Sequence, residues 1–228
     1  MKIEVLGTRA KIKPSADSYR NHTGFLIDDR ILLDVGEKEF LTKRPEAIVF
    51  THFHPDHAYF IFEHEVFEPG IPHFGPEPHE LIPRLKIIER EFSLRGYLFT
   101  PVPVIHALRL KSSGYVVEKD GKKVFFTGDV AWIEKANLES LGQVDLIITE
   151  ATFLKKGGRI NRSGNKIYGH TGIPDLIRLL SPHTSRILFT HYGEWFYEDL
   201  ANSPGKIKDL QKEGLELIPA HDGLVIEV

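Results

Sequence analysis

The sequence predicts an α+β domain in which two β-rich halves of similar layout pack face to face with helices outside. Three observations carry this. Short apolar runs of strand length recur along the chain, Asp28-Asp29 and Lys119-Asp120-Gly121 punctuate them as hairpin turns, and each half runs strands, helix, strand. The halves share that order without a sequence repeat. A length of 228 residues suits one compact domain, expected to span 1–228.

Residues 2–6, 23–28 and 30–34 read as an opening β-meander, and the polar segment 9–21, with Pro14, Ser15 and Ser18, reads as a loop. Tyr19, Arg20, Asn21 and His22 belong either to the substrate rim or to a plain surface loop. Residues 46–50 form a buried strand. A core-facing helix is expected over 58–66, with Tyr59, Phe60, Phe62, Val66 and Phe67 at roughly helical spacing, then an irregular Pro/Gly-rich stretch over 68–78. Leu81, Leu85, Ile88 and Phe92 predict a second helix over 80–92, stopped at Gly96. Strands follow at 97–105, 114–119 and 122–127, a helix at 133–141 and a strand at 144–149. The last third reads as helix 172–180, strand 186–190, helix 205–214 and strands 215–218 and 223–227, with Pro174 and Ser181-Pro182 bounding the first helix. His64 needs no function, and His73 and His79 read as surface residues.

Composition narrows the chemistry. A formal charge of -3 shows no global basic bias, so nucleic acid is not implied, although a local patch would suffice to bind it. With no cysteine, disulfides and thiolate ligands are excluded, and any metal must be held by His, Asp or Glu. The N-terminus reads as a strand and not a signal peptide, and no apolar run approaches the roughly 20 residues needed to span a bilayer. The expected setting is cytoplasmic, with no membrane partner.

One stretch organises the rest. Thr51-His52-Phe53-His54-Pro55-Asp56-His57 follows the apolar run Glu46-Ala47-Ile48-Val49-Phe50. In an extended segment residues two apart share a face, so His52 and His54 point the same way while Asp56 and His57 fall where the chain turns. Three imidazoles and a carboxylate at a strand end must be solvated or paired, which points to a metal site. Further along, His106 follows Val102-Pro103-Val104-Ile105, Asp129 closes Phe126-Thr127-Gly128-Asp129, and His191 closes Leu188-Phe189-Thr190-His191.

His-X-His-X-Asp-His with these downstream residues resembles the metallo-β-lactamase superfamily from Gly7 onward. The resemblance implies a four-layer αββα sandwich. It also implies two divalent ions, Zn first with Mn or Fe allowed: His52, His54 and His106 on one, Asp56, His57 and His191 on the other, and Asp129 between them. His221 stands as an alternative to His191. Asp34, in Leu33-Asp34-Val35-Gly36-Glu37, would orient a ligand or a backbone amide. The implied nucleophile is a hydroxide generated by the ions, with Asp56 accepting or steering the proton.

Asp145-Leu146-Ile147-Ile148-Thr149-Glu150-Ala151-Thr152-Phe153 and Gly169-His170-Thr171 are similar to motifs of the phosphodiesterase branch, which includes ribonuclease Z. That likeness implies Glu150 orienting His170 as a proton donor; a strand-end cap and a helix-start residue are the bland alternatives. Lys155, Lys156, Arg159, Arg162 and Lys166, spaced by glycines, form a basic flexible loop that either attracts phosphate or is simply solvated. The chain departs from ribonuclease Z in lacking a long Gly/Pro-rich arm, and Ala58-Tyr59-Phe60-Ile61 stands where a glycine is usual. The leading expectation is therefore a phosphodiesterase acting on a small or unstructured phosphodiester, with RNA the other substrate class. Transfer-RNA 3′-end processing comes next. Carboxylic ester, thioester or lactam hydrolysis, and an inactive metal-stabilised nucleic-acid-binding module, are further alternatives. Monomer and homodimer both stay open.

Overall fold

The computed structural model describes residues 1–228. Its first strands, β1 (Lys2–Gly7), β2 (Gly24–Ile27) and β3 (Ile31–Leu33), form an antiparallel meander that β4 (Ala47–Val49), β5 (His73–Gly75) and β6 (Lys86–Ile87) extend in parallel. A second meander follows in β7 (Phe92–Leu94), β8 (Tyr97–Val104), β9 (Ser112–Lys119) and β10 (Lys122–Phe126), and β11 (Leu146–Ala151) pairs parallel with its last strand. The strands β12 (Arg159–Ser163) and β13 (Lys166–His170) make a separate ribbon. Then β14 (Arg186–Tyr192) and β15 (Glu216–Pro219) continue the second sheet in parallel, and β16 (Val225–Glu227) returns to pair with β1. Each main sheet thus has seven strands, antiparallel on one side and parallel on the other.

Period-two alternation explains how the layers stack. Ile3, Val5, Phe25, Ile27, Ile31, Leu33 and Val49 face Phe99, Tyr115, Val117, Val124, Phe126 and Ile148 in the core between the sheets. The intervening Leu26, Leu32 and Ile48 point outward beneath Phe40, Phe53, Phe60 and Phe67. Ile147, Ile187 and Phe189 do the same on the second sheet and are covered by helices. Those are α2 (Lys135–Leu141), α3 (Ile173–Leu180), α4 (Glu194–Glu198) and α5 (Ser203–Lys208), while the first sheet carries only the short helix α1 (Phe60–Glu63) and the 3-10 turn Lys38–Lys43. The second of these four helices, α3, shows the logic most plainly. Ile173, Leu176, Ile177 and Leu180 recur at helical spacing and are all buried, with Pro174 and Asp175 in the first turn. The αββα layering expected from the sequence is the layering observed, and no helix is long and apolar enough to cross a membrane.

Three local expectations are corrected. Residues 80–92 form no helix: Pro83 removes a donor, turns close at Ile82 and Leu85, and the β-branched segment adds Lys86–Ile87 to the edge of the first sheet. The 58–66 helix shrinks to Phe60–Glu63, because His64 takes a left-handed conformation at φ 50. Phe62 and Val66 consequently lie exposed, not in the core. The basic loop folds into the β12–β13 ribbon, with Gly164 supplying the positive φ at its turn. In addition His73, expected at the surface, is buried, its Nδ1 2.8 Å from the Ile71 carbonyl.

Candidate metal centre

The strand directions set the site. Since β8 and β10 both pair antiparallel with β9, and β10, β11 and β14 are mutually parallel, these four strands end at one rim. His106, Asp129, Glu150 and His191 sit at or just beyond those ends. The parallel pair β3 and β4 delivers Asp34 and the segment Thr51 to His57 to the same place. Two side chains there lie on backbone in the left-handed region, Asp34 at φ 59 and His191 at φ 53, conformations held by the surrounding bonds.

Seven side chains converge. His52 Nε2, His54 Nδ1 and His106 Nε2 gather with Asp129 Oδ2: His54 Nδ1 is 3.1 Å from His52 Nε2 and 3.0 Å from His106 Nε2, and the carboxylate oxygen is 3.7 and 3.4 Å from those same Nε2 atoms. The other oxygen of Asp129, Oδ1, lies 3.2 Å from His57 Nε2 and 3.4 Å from His191 Nε2, and His191 Nε2 is 3.0 Å from Asp56 Oδ2. Asp129 therefore offers one oxygen to each group. Four ligands held about 2.0 to 2.1 Å from a tetrahedral ion are themselves about 3.3 Å apart, so both spacings suit divalent ions. Two buried atoms argue the same way, since His57 Nε2 and Asp129 Oδ1 make no hydrogen bond.

The tautomers follow from what stands behind each ring. Asp34 Oδ2 accepts from His57 Nδ1 at 2.8 Å and from Thr51 Oγ1 at 2.7 Å, and its Oδ1 accepts from the Thr51 amide at 2.7 Å. Thr51 Oγ1, having donated to Asp34, accepts from His52 Nδ1 at 3.0 Å. His106 Nδ1 donates to the Gly169 carbonyl at 3.0 Å. Thr152 Oγ1 donates to Glu150 Oε2 and accepts from His191 Nδ1 at 3.0 Å. Each Nδ1 is committed outward, which leaves four Nε2 lone pairs aimed inward, the arrangement that ligating imidazoles need.

Electrostatics support the donor set at His52, His54 and His106; at His57 burial opposes charge, yet Asp129 and Asp34 outweigh it and raise the ring, so a cation binding there would displace a proton. Burial, reinforced by neighbouring imidazoles, pushes His52 and His106 down and His54 down to about 4, so these rings are neutral at pH 7. Burial opposes charge on Asp56 and Asp129 too, but the histidines around them outweigh it and both carboxyls are lowered. Beside the cage, Glu150 Oε2 lies 2.8 Å from His170 Nδ1, and Glu150 Oε1 accepts from the Val130 amide at 2.6 Å. Burial works against a charged His170, yet Glu150 overcomes it and raises the ring to about 9.

The structure brings His191, and not His221, to this cage. His221 is exposed, with Nδ1 3.0 Å from the Asp222 carbonyl. Tyr19 packs on Phe196, the amides of Arg20 and Asn21 donate to Asp222, and His22 pairs with Glu37, so none of these joins the cage. Sequence reasoning quoted two residues within motifs without seeing their role. Thr152 links Glu150 to His191, and a threonine at a strand end carries no spacing signal. Gly169 accepts from His106 where any Cβ would lie 2.1 Å from the Arg159 carbonyl, at φ 119, a need that only the fold reveals.

These residues define a metallo-hydrolase type of site on an αββα frame. Residues 30–192 match the sequence profile of the beta-lactamase superfamily domain, and the chain belongs to that family. The metallo-β-lactamase fold protein YhfI from Bacillus subtilis superposes with a TM-score of 0.72 at 19% identity, covering 99% of this chain and 98% of that one. A diphosphatase of the PhnP family gives 0.69 at 20% identity, with 100% and 97% covered. The short form of human tRNase Z gives 0.66 at 18% identity, with 100% and 99% covered. No curated protein sequence matches the chain.

Proposed function

We propose that this protein is a dinuclear-metal phosphodiesterase acting on a small or unstructured phosphodiester. The observation that carries the reading is the Glu150–His170 pair, hydrogen-bonded at 2.8 Å directly beside the double cage. In this assignment His52, His54 and His106 hold one ion, Asp56, His57 and His191 the other, and Asp129 stands between, with Zn the first choice for a set of nitrogen and oxygen donors and Mn or Fe the alternatives. Ions held by these residues would supply Lewis acidity and activate a water for attack on phosphorus. Asp56, hydrogen-bonded at 3.0 Å to His191 Nε2 and ionised at neutral pH, is placed to steer or accept the proton that the attacking water releases. His170, oriented through Nδ1 by Glu150, donates from its other nitrogen to a phosphoryl oxygen or to the departing alkoxide. A carboxylic ester or lactam hydrolase has no evident use for that donor. The shared fold of a PhnP-family diphosphatase and of human tRNase Z is consistent with phosphoryl chemistry.

Hydrolysis of bis(p-nitrophenyl) phosphate by protein reloaded with Zn²⁺ or Mn²⁺ tests this reading. Activity should vanish in Asp129→Ala and fall by about 10² to 10⁴ in His170→Ala. Inactivity with every metal would remove the proposal. Transfer-RNA 3′-end processing is the second reading, favoured by the exposed Arg159, Arg162 and Lys166 on the β12–β13 ribbon. Cleavage of precursor transfer RNA with a steep salt dependence would favour it over the first.

A further inference from the structure

A groove of about 820 Å³ opens beside the cage, sharing His106 with it. Three walls bound it: the segment 103–112, Trp132 with Glu134, and the β12–β13 ribbon. All three are fixed to the same short stretch of backbone. Ile105 and Trp132 exchange amide hydrogen bonds at 2.9 and 3.0 Å, and the Gly169 amide donates to the His106 carbonyl at 2.7 Å while His106 Nδ1 donates to the Gly169 carbonyl. The groove is thus preorganised relative to the candidate metal ligand His106.

Its lining is unusual for this surface. Trp132, 40% exposed, and Leu108, 36% exposed, are two of the few large apolar side chains open to solvent, and both face this groove. An indole left open beside a polar site, with its backbone pinned on both sides, is a stacking platform. Lys111, Arg162 and Lys166 line the same groove against one acid, Glu134, so its charge favours an anion. Glu134 and Asn165 add a carboxylate acceptor and a side-chain amide to the lining.

The geometry points to Trp132 as a specificity-determining residue: the groove seats a planar aromatic ring of the substrate on the indole, with Arg162 and Lys166 on an anionic group beyond it. This rests on the phosphodiesterase reading and narrows it to phosphodiesters in which one ester group carries a flat ring, a nucleobase above all. A phosphodiester with two aliphatic groups would leave the indole and Leu108 uncovered.

Calorimetry on the Zn-loaded protein with AMP and with ribose 5-phosphate tests the proposal, because the two ligands differ only in the base. AMP should bind on the order of tenfold more tightly. Trp132→Ala should erase that margin, Trp132→Phe should keep most of it, and AMP should quench indole emission in a Trp195→Phe background. Equal binding of the two ligands, no AMP binding, or a margin that survives Trp132→Ala would overturn it. The two readings fail separately. Loss of all phosphodiester hydrolysis with the AMP margin intact would sink the catalytic reading and leave the groove. Full hydrolysis without the margin would do the reverse.

Discussion

Asp34 Oδ2 lies 2.8 Å from His57 Nδ1, and the same carboxylate reaches His52 through Thr51. One buried acid therefore orients one imidazole in each half of the cage. Asp34→Asn keeps the side chain's size but loses an acceptor, so metal affinity should fall about 10- to 100-fold with the fold retained, as read by competition with a chelator. Asp34→Ala leaves buried donors unpaired and should also cost about 3 kcal/mol in denaturant unfolding. Unchanged affinity in both variants would show that the acid orients nothing.

Glu150 raises His170 to about 9 from 6.5, overcoming burial. A pKa raised on folding stabilises the protein fully below the unfolded value and loses that contribution as pH rises through the folded one. The donor form is present below about 9, so the basic limb of kcat/KM should fall near there. Glu150→Gln retains an oxygen for the Val130 amide but removes the charge, and the limb should move to neutral pH or below. An unmoved limb in Glu150→Gln would deny that the pair sets the donor.

At the other end of β3 from Asp34, Asp28 joins the two sheets. It sits in the β2–β3 turn and accepts from the Lys2 amide at 2.7 Å, from the Tyr97 hydroxyl, and from Lys119 Nζ at 3.0 Å. Burial raises its pKa, but Tyr97, Lys2 and Lys119 prevail and bring it down to about 2. With a folded value below the ordinary 3.8, the contribution is present above about pH 4 and is lost as pH falls toward 2. Between those limits the Tm of the wild type should drop by about 2 to 4 °C more than that of Asp28→Asn. Parallel Tm curves would contradict the assignment.

Much of this was legible in the sequence because ligation demands particular residue types at strand ends. His52, His54, His106, Asp129 and His191 each follow an apolar run, and alternation alone separates Leu26 and Leu32 from their inward neighbours. Segments under weaker constraint were misleading. Leu81, Leu85, Ile88 and Phe92 keep helical spacing, but an edge strand offers 86–87 hydrogen bonds that Pro83 denies a helix. The glycines among the basic residues read as flexibility, although Gly164 closes a tight turn and Gly169 permits a close approach. Trp132 had no periodic context and gained meaning only from the groove it borders.

The central claim is that two ions share this cage across Asp129. Anomalous scattering from crystals of the Zn-loaded protein measures it most directly. Two peaks should appear, one among His52, His54 and His106 and one among Asp56, His57 and His191, each adjoining a different oxygen of Asp129. No peak within the cage, or zinc bound only at exposed histidines such as His221, would contradict the account.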